Sequence, residues 1–266
     1  MALLALTLAL LAITVATMAT TLKPLDMALN SFDDQYQGCG PAMEEALPAL
    51  NSSEFRNNSL FAEVWPKAVA QWQKAGSPVS PLSSSDQAIA IMAYAAPDLH
   101  DYFNWNVSIF GRSPQEYRDN FHFKTLHFLL TKAVATLAAT EKQQKCQGVT
   151  HLSSFKFYGK VGDIFRFGQF AQSWGLIDDS VSAPTVFRVK TCHGADISTF
   201  AGVPDNVIVL IPPYEKFKVT KVIPKGEKVE IHLDSIGTYS KYNCEWLRGE
   251  DSLGPWGHPL GPWGQS

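Results

Sequence analysis

The sequence has no surplus of positive charge. It contains 22 lysine and arginine residues against 25 aspartate and glutamate residues, and its formal net charge is -3 at pH 7. Proteins that bind nucleic acid neutralise its phosphates with a basic patch or stripe, whereas the charges of this chain are interspersed. We therefore expect no nucleic acid partner.

The common local signatures of catalysis are also absent. There is no glycine-rich phosphate loop, no HExxH motif for zinc and no GxSxG motif for a serine nucleophile. The seven histidines are scattered, and His122 and His127 stand five residues apart rather than the three or four that share a helical face. The sequence thus predicts no metal site.

Cysteine is scarce, and its spacing excludes a CxxC motif. The four cysteines are Cys39, Cys146, Cys192 and Cys244. An even number of widely spaced cysteines is typical of disulfides formed in an oxidising, extracellular compartment. We predict two disulfide bonds. Four cysteines allow three pairings, and spacing alone does not choose among them.

The N-terminus indicates secretion. Residues 1–19 are apolar apart from threonine, end in small residues and have no lysine or arginine before the apolar run. A signal peptide, a buried helix and a membrane anchor are the alternatives, and the short run favours a signal peptide. Three Asn-X-Ser sequons agree with secretion, and they begin at Asn51, Asn57 and Asn106.

The C-terminus predicts a protein without a membrane anchor. From Gly254 the chain reads GPWGHPLGPWGQS and has no apolar tail, which a GPI signal needs. We therefore expect an extracellular protein made of a signal peptide (1–19), one domain (20–250) and a flexible tail rich in Gly, Pro and Trp (251–266).

Hydrophobic periodicity predicts helices first and strands later, which indicates an α+β domain. Helices are predicted for residues 41–75 and 88–94, from Ser113 and Pro114 onward, and for residues 123–142. Strands are predicted for residues 155–158, 164–167, 185–190, 207–211, 217–223 and 228–233. The last two, joined by Pro-Lys-Gly-Glu, give the strongest hairpin signal in the sequence.

Seven segments together resemble the vertebrate ecto-mono-ADP-ribosyltransferases, in the order of that family. They are FDDQYQGC (32–39), AIAIMAY (88–94), FHFKTLHFLLTKA (121–133), RFGQF (166–170), KTCHGADI (190–197), VLIPPYEKFKV (209–219) and YNCEWLRGE (242–250). Each segment is weak alone, but the set covers most of the chain and includes segments around three of the cysteines. The combination is highly specific.

The resemblance implies a fold, a disulfide pattern and a substrate. Members of the family pack a helical N-terminal half on two twisted β-sheets that enclose an NAD cleft, so we expect the same here. Cys39 would be joined to Cys244, and Cys146 to Cys192. NAD would be the substrate, an extracellular protein would be the acceptor or partner, and no metal would be needed.

The family's reaction explains which side chains its cleft needs. Cleavage between nicotinamide and ribose builds positive charge on the sugar, as in glycoside hydrolysis, and a nearby carboxylate stabilises that charge. An arginine binds the pyrophosphate through its planar fork. The family supplies an arginine in an FRG-type strand, a Ser-x-Ser after GQF and a Glu-x-Glu before VLIPP.

This sequence departs from the family at all three places. Counting back from residues 155–157, the arginine position falls on Thr150. The Ser-x-Ser segment reads Gln-Ser-Trp from Gln172, and the Glu-x-Glu segment reads Asn-Val-Ile and ends at Ile208. An isoleucine cannot stabilise a cation, and a threonine hydroxyl cannot replace a guanidinium fork. We therefore expect the catalytic positions to be substituted.

Three other residues are candidates by the same resemblance. Gln169 and Tyr94 match positions that line the nicotinamide pocket in relatives, so the resemblance implies that they bind NAD, and a structural role is the equally plausible alternative for both. Arg166 could be offered as the missing arginine, but its place in RFGQF favours a structural role.

Three hypotheses follow. The chain is a family member in which transfer of ADP-ribose is weak or lost, while NAD or protein binding remains. Alternatively it is an active arginine-specific transferase that uses unorthodox residues, or a structural secreted protein that no longer binds NAD.

Overall fold

The computed structural model describes residues 22–140, 146–175, 177 and 183–251, with side chains up to residue 248. The predicted signal peptide and almost all of the predicted tail lie outside the described residues. Over the described part of the chain there are seven helices and ten strands, most of the helices preceding the strands. The predicted α+β class is confirmed. No helix in these ranges is long and apolar enough to cross a bilayer.

Six helices form the first half of the domain. Their bounds are α1 (Gly40–Asn57), α2 (Ser59–Lys74), α3 (Ser85–Tyr94), α4 (Pro97–Ile109), α5 (Pro114–Asn120) and α6 (Lys124–Thr140). The side chain of Asn58 accepts a hydrogen bond from Phe61 N and so caps α2. This cap divides the helical stretch predicted for residues 41–75 into α1 and α2. The helices predicted at residues 88–94 and 123–142 correspond to α3 and α6.

The strands follow, apart from the first. Their bounds are β1 (Leu22–Pro24), β2 (Gln147–Ser153), β3 (Lys156–Tyr158), β4 (Ile164–Phe165), β5 (Ala171–Trp174), β6 (Thr185–Thr191), β7 (Ala195–Asp196), β8 (Ile208–Ile211), β9 (Glu215–Lys225) and β10 (Lys228–Thr238), and α7 (Glu245–Asp251) closes the domain. The predicted β9–β10 hairpin is confirmed. It turns through Gly226, whose φ of 63° suits glycine.

The sheet arrangement differs in detail from the two sheets that the resemblance implied. Eight strands form one continuous sheet in the order β4-β9-β10-β6-β2-β5-β8-β7, while β1 and β3 form a separate parallel pair. The sheet is continuous because β10 pairs in parallel with β6 and so joins the hairpin to the remaining strands.

Two apolar cores lie on the two faces of this sheet. The core on the helical side includes Tyr94, Phe103, Leu130, Phe170 and Leu210. The core on the other side includes Val149, Phe187, Val209, Phe217 and Ile231. Neighbouring residues of β8 thus enter different cores, as the alternation of side chains along a strand requires.

Both disulfides have the pairing that the resemblance implied. Cys39 is bonded to Cys244, with Cα atoms 6.1 Å apart, and Cys146 is bonded to Cys192, with Cα atoms 4.2 Å apart. The first bond joins the start of α1 to the start of α7. The second joins the start of β2 to the end of β6.

The FDDQYQGC segment ties the C-terminal segment to the rest of the domain. Asp33 accepts hydrogen bonds from Lys241 N at 2.8 Å and from Arg166 Nη1 at 2.6 Å. Asp34 accepts from Glu245 N at 2.9 Å and so caps α7. Arg166 is fully buried, also donates to Met27 O at 2.8 Å, and is not in the wall of the site described below. The structural role predicted for Arg166 is confirmed.

Candidate functional site

A cleft of about 530 Å³ lies between α4 and the segments that contain β2 and β5. From α4 it is lined by His100, Asn104 and Ser108, which recur every four residues and therefore share one face of the helix. The opposite wall is formed by residues 151–155 and by side chains of residues 169–174. Polar and charged residues are the majority of the lining residues, and aromatic rings lie among them.

The main chain of Phe170 is held beneath the cleft by two buried side chains. Asn104 accepts from Phe170 N at 3.0 Å and donates to Phe170 O at 3.0 Å. The hydroxyl of Tyr94 donates to the same carbonyl at 2.9 Å. This clamp fixes the backbone from which Gln169 and Gln172 reach the cleft.

Of the two residues predicted to bind NAD, Gln169 lines the cleft and Tyr94 does not. The side chain of Tyr94 has no exposed surface, because α3 is buried on all sides, and this burial raises the pKa of Tyr94. The prediction is therefore corrected for Tyr94. This residue positions Phe170 instead of facing a ligand.

His151 is the titratable residue of β2 that reaches the cleft. Its Nδ1 lies 2.8 Å from Gln172 O, and because a carbonyl only accepts, Nδ1 carries the proton. Burial lowers the pKa of His151 to about 4, and the nearby His100 acts in the same direction. The ring is therefore neutral at pH 7, and its Nε2 is an acceptor.

Two of the predicted catalytic positions, Thr150 and Ile208, lie in one row across the sheet with Trp174 between them. Thr150 pairs with Trp174 on the neighbouring strand, and Trp174 pairs with Ile208 on the next. Directly paired residues point to the same face of a sheet, so this row contains one residue from each of the three segments of the family pattern. Gln172 precedes Trp174 by two residues on that face, and both line the cleft.

Thr150 itself does not line the cleft. It is fully buried, and its hydroxyl accepts a hydrogen bond at 2.9 Å from Nη1 of Arg188, its pairing partner on β6. An arginine at position 150 would compete with Arg188 for this space. The expectation that the family's arginine position falls on Thr150 is therefore corrected, since Thr150 is buried and the neighbouring His151 lines the cleft.

Ile208 begins β8 beside Trp174. Its amide donates to Ser198 Oγ at 2.8 Å, and its carbonyl accepts from Ile197 N at 2.9 Å. The half-buried side chain packs against the apolar core on the helical side. The main chain at this position is thus fixed, and the side chain adds no charge.

Carboxylates are scarce around the cleft. Among the lining residues that the structure describes, the sole carboxylate is Asp101, whose side chain is 94% exposed and lies 3.0 Å from His100 Nδ1. Glu215 is buried elsewhere and accepts from Cys192 N at 2.7 Å. Within the described ranges no group of three or more His, Cys, Asp or Glu side chains is placed to hold a metal ion.

The three predicted glycosylation sites differ in exposure. Asn57 is exposed at the end of α1, and Asn51 is half-buried on the same helix. Asn106 is 3% exposed inside α4, and its Nδ2 donates to Tyr102 O at 2.7 Å. The burial of Asn106 argues against the glycan predicted there.

Sequence reasoning missed the contribution of α4. The signal for it was the four-residue spacing of His100, Asn104 and Ser108, interleaved with the buried apolar residues Leu99 and Phe103. His151 was missed because it stands beside the position that the family pattern selects.

The helical layer, the mixed sheet and the polar cleft define the ADP-ribosyltransferase class of α+β protein. The family model for NAD:arginine ADP-ribosyltransferase matches residues 25–241. The chain belongs to this family, whose substrate is NAD. It is 41% identical over 239 residues to NAD(P)(+)--arginine ADP-ribosyltransferase 2 of Gallus gallus, covering 88% of this chain and 75% of that protein.

Other relatives and solved structures agree. The human GPI-linked NAD(P)(+)--arginine ADP-ribosyltransferase 1 is 38% identical over 84% of this chain and 74% of its own length. The crystal structure of the mono-ADP-ribosyltransferase ART2.2 covers 83% of this chain and 98% of its own, with a TM-score of 0.69 and 32% identity. A mutant of ART2.2 with isoleucine in place of a glutamate, solved in complex with NAD, also has a TM-score of 0.69, with 33% identity and the same coverage.

Proposed function

We propose that this protein binds NAD in the cleft beside α4 and transfers ADP-ribose to protein arginine only weakly or not at all. The observation that carries the proposal is Ile208, an apolar residue at the position where the family pattern has its last glutamate. It lies at the end of the row that contains Thr150 and Trp174.

The chemistry explains why Ile208 matters. The bond between nicotinamide and ribose breaks through a transition state with positive charge on the sugar. A fixed negative charge beside that sugar stabilises the transition state more than the bound substrate, and only such differential binding raises the rate. The exposed Asp101 is not held in place by the sheet, so it is a poor replacement.

Binding of NAD does not need the same charge. The cleft retains polar groups for a nucleotide, namely Gln169, Gln172, the neutral His151 and the hydroxyls of residues 153 and 154. The ART2.2 mutant that has isoleucine in place of a glutamate was solved with NAD. This supports retention of NAD by a fold that has lost a glutamate.

The alternative is an active arginine-specific transferase with unorthodox residues. The observation in its favour is Asp101, which lines the cleft next to His100. In this reading Asp101 would supply the carboxylate that Ile208 lacks.

The same proposal includes an extracellular location. The two disulfides and the exposed sequon at Asn57 suit an oxidising secretory route. Relatives include a GPI-linked human enzyme and proteins named ecto-ADP-ribosyltransferases. We propose that this chain is a secreted protein that acts on, or binds, an extracellular protein partner.

One paired experiment tests the proposal. NAD binding to the purified protein is measured by calorimetry, and transfer is measured with agmatine as the arginine analogue. Saturable NAD binding with little or no modified agmatine is the expected result. Strong agmatine modification would support the alternative, and an Asp101→Asn variant would then lose it. Absence of NAD binding would leave a structural role for the protein.

A further inference from the structure

Among the described residues that line the cleft, Lys23 is the only lysine, and there is no arginine. The other ionisable groups there are Asp101 and two histidines, of which His151 is neutral at pH 7. A dinucleotide carries two negative charges on its pyrophosphate. The charge available to meet them therefore comes from β1 and not from β2, where the family pattern predicts an arginine.

The main chain at Lys23 is held by pairing with a neighbouring strand. β1 pairs in parallel with β3, and Lys23 is the register partner of Phe157. The pairing is extended by Leu25 N, which donates to Tyr158 O at 3.0 Å. The segment that carries Lys23 is thus part of a hydrogen-bonded ladder and not a free strand end.

The side chain of Lys23 is also oriented. Its Nζ lies 3.3 Å from the centroid of the Phe155 ring, a cation–π contact. Among the described residues, the carboxylate that acts on Lys23 is Asp26, whose charge raises the pKa of the lysine. Partial burial lowers the pKa of Lys23, as expected for an ammonium that is shielded from water.

The neighbouring groups suit a phosphate. The hydroxyl of Ser153 accepts from Phe155 N at 3.1 Å, which holds the turn after β2, and Ser154 lies exposed in the same wall. An ammonium binds phosphate oxygens as a point charge, and adjacent hydroxyls add hydrogen bonds.

We propose that Lys23 binds the pyrophosphate of the nicotinamide dinucleotide in this cleft, in the role that the family pattern gives to an arginine. The assignment rests on the proposed function, because it presumes that NAD enters the cleft beside α4. It deepens that function by naming a residue that determines affinity.

The test compares NAD affinity of the whole protein with that of three variants. Lys23→Gln should raise the dissociation constant about tenfold, the usual effect of one hydrogen bond to a charged group. Lys23→Arg should keep the affinity within about threefold, because it keeps the charge. Lys221→Gln removes an exposed lysine from β9 and is the matched control, with unchanged affinity. Thermal melts show that each variant is folded.

Two further probes separate this assignment from the proposed function. Nicotinamide has no phosphate, so Lys23→Gln should not weaken its binding, whereas inorganic pyrophosphate should bind the parent and not the variant. Equal NAD affinity of the parent and Lys23→Gln would overturn the assignment and leave the proposed function standing. Pyrophosphate binding that depends on Lys23, without NAD binding, would overturn the assignment together with the function, since Lys23 would then bind the anion but no dinucleotide. Binding of neither NAD nor pyrophosphate to the parent would overturn both.

Discussion

The buried pair of Arg166 and Asp33 shows how a single charged residue can hold this fold without taking part in its chemistry. The two side chains are fully buried and 2.6 Å apart. Burial raises the pKa of Asp33, and the Arg166 guanidinium counteracts that rise. We expect Arg166→Met to lower the free energy of unfolding by about 3–5 kcal/mol, because it leaves an uncompensated buried carboxylate.

Urea denaturation measures this effect. Arg112→Ala is the control, since its ion pair with Glu116 is partly exposed and should contribute under about 0.5 kcal/mol. The double variant Arg166→Met with Asp33→Asn should recover part of the loss. An Arg166→Met protein as stable as the parent would contradict the structural role.

Restoring the family's acidic and hydroxyl groups tests the role of Ile208. We expect the combined variant Gln172→Ser, Trp174→Ser, Asn206→Glu and Ile208→Glu to release nicotinamide from NAD measurably faster than the parent. Single replacements should not, because residues that act as a unit are strongly non-additive. Thr150→Arg is left out, since Thr150 is buried against Arg188.

The control for this prediction is the same background with Gln at position 208. Gln has nearly the shape of Glu without its charge, so the glutamate variant should be at least about tenfold faster; one well-placed stabilising group is typically worth about 10²–10³ in rate. Equal rates for the two variants would show that position 208 is not the site of the missing charge.

At the residue scale, the sequence predicted the glutamines that line the cleft but not its lysine and histidines. Gln169 and Gln172 line the cleft as expected. Thr150 and Tyr94 do not, because a pattern gives a position along a strand or helix but not the depth at which it is buried. Lys23 was out of reach of sequence analysis, because its place depends on a strand pairing that spans more than 130 residues.

At the scale of elements, the segments with the strongest local signals were predicted, whereas α4, β2 and the short paired strands β5 and β7 were not. α3, α6 and the β9–β10 hairpin have strong local signals, and all three are found. β5 was missed because its four residues are a strand only by virtue of pairing with β2 and β8, which are remote in sequence. α7 was missed because its cap, Asp34, lies more than 200 residues earlier.

The helices α1 and α4 should differ in glycosylation. Asn57 is exposed at the end of α1, whereas Asn106 is buried inside α4. When the protein is expressed in secretory cells, we expect Asn57→Gln to reduce the mass by one N-glycan and Asn106→Gln to leave the glycan mass unchanged. Peptide mapping after glycosidase treatment measures this, and a glycan found on Asn106 of folded protein would contradict the buried position.

α6 carries a buried histidine that makes stability depend on pH. His127 Nε2 donates to Phe32 O, and its Nδ1 accepts from Tyr36 OH at 2.8 Å, so both nitrogens of the neutral ring are hydrogen-bonded. Burial lowers the pKa of His127 from 6.5 to about 3. A lowered folded-state pKa stabilises the protein above pH 6.5, and this contribution is lost as the pH falls towards the folded value.

We therefore expect the free energy of unfolding to fall by about 2 kcal/mol between pH 7.5 and pH 5 through His127 alone. His127→Gln, measured by urea denaturation at both pH values, should show a smaller fall than the parent. His193→Gln, a change at a partly exposed histidine, should show the same fall as the parent. The other buried ionisable groups are shared by all three proteins, so they cancel in the comparison.

At the scale of the whole molecule, the two ends of the domain are held by a few contacts between residues far apart in sequence. Asp33 and Asp34 accept hydrogen bonds from the main chain of Lys241 and Glu245. Cys39 is bonded to Cys244 beside them. The start of the helical half is thus joined to the last helix by a disulfide and by main-chain hydrogen bonds.

The two disulfides should contribute unequally to stability because they close loops of different length. Cys39 and Cys244 are separated by 205 residues, whereas Cys146 and Cys192 are separated by 46. The loss of chain entropy in the unfolded state grows with the logarithm of loop length. Removal of either bond should lower the free energy of unfolding by about 2–5 kcal/mol. Removal of the Cys39–Cys244 bond, which closes the longer loop, should lower it by about 1 kcal/mol more than removal of the other bond.

Non-reducing peptide mapping first checks the pairing, and a link between Cys39 and Cys146 would contradict the structure. Urea denaturation then compares two double variants, neither of which has a free thiol. One combines Cys39→Ser and Cys244→Ser, and the other combines Cys146→Ser and Cys192→Ser. The parent protein in reducing agent gives the effect of losing both bonds together. If the shorter loop proves the more stabilising, native contacts around β2 and β6, and not the entropy of the unfolded chain, would set the contribution of the disulfides.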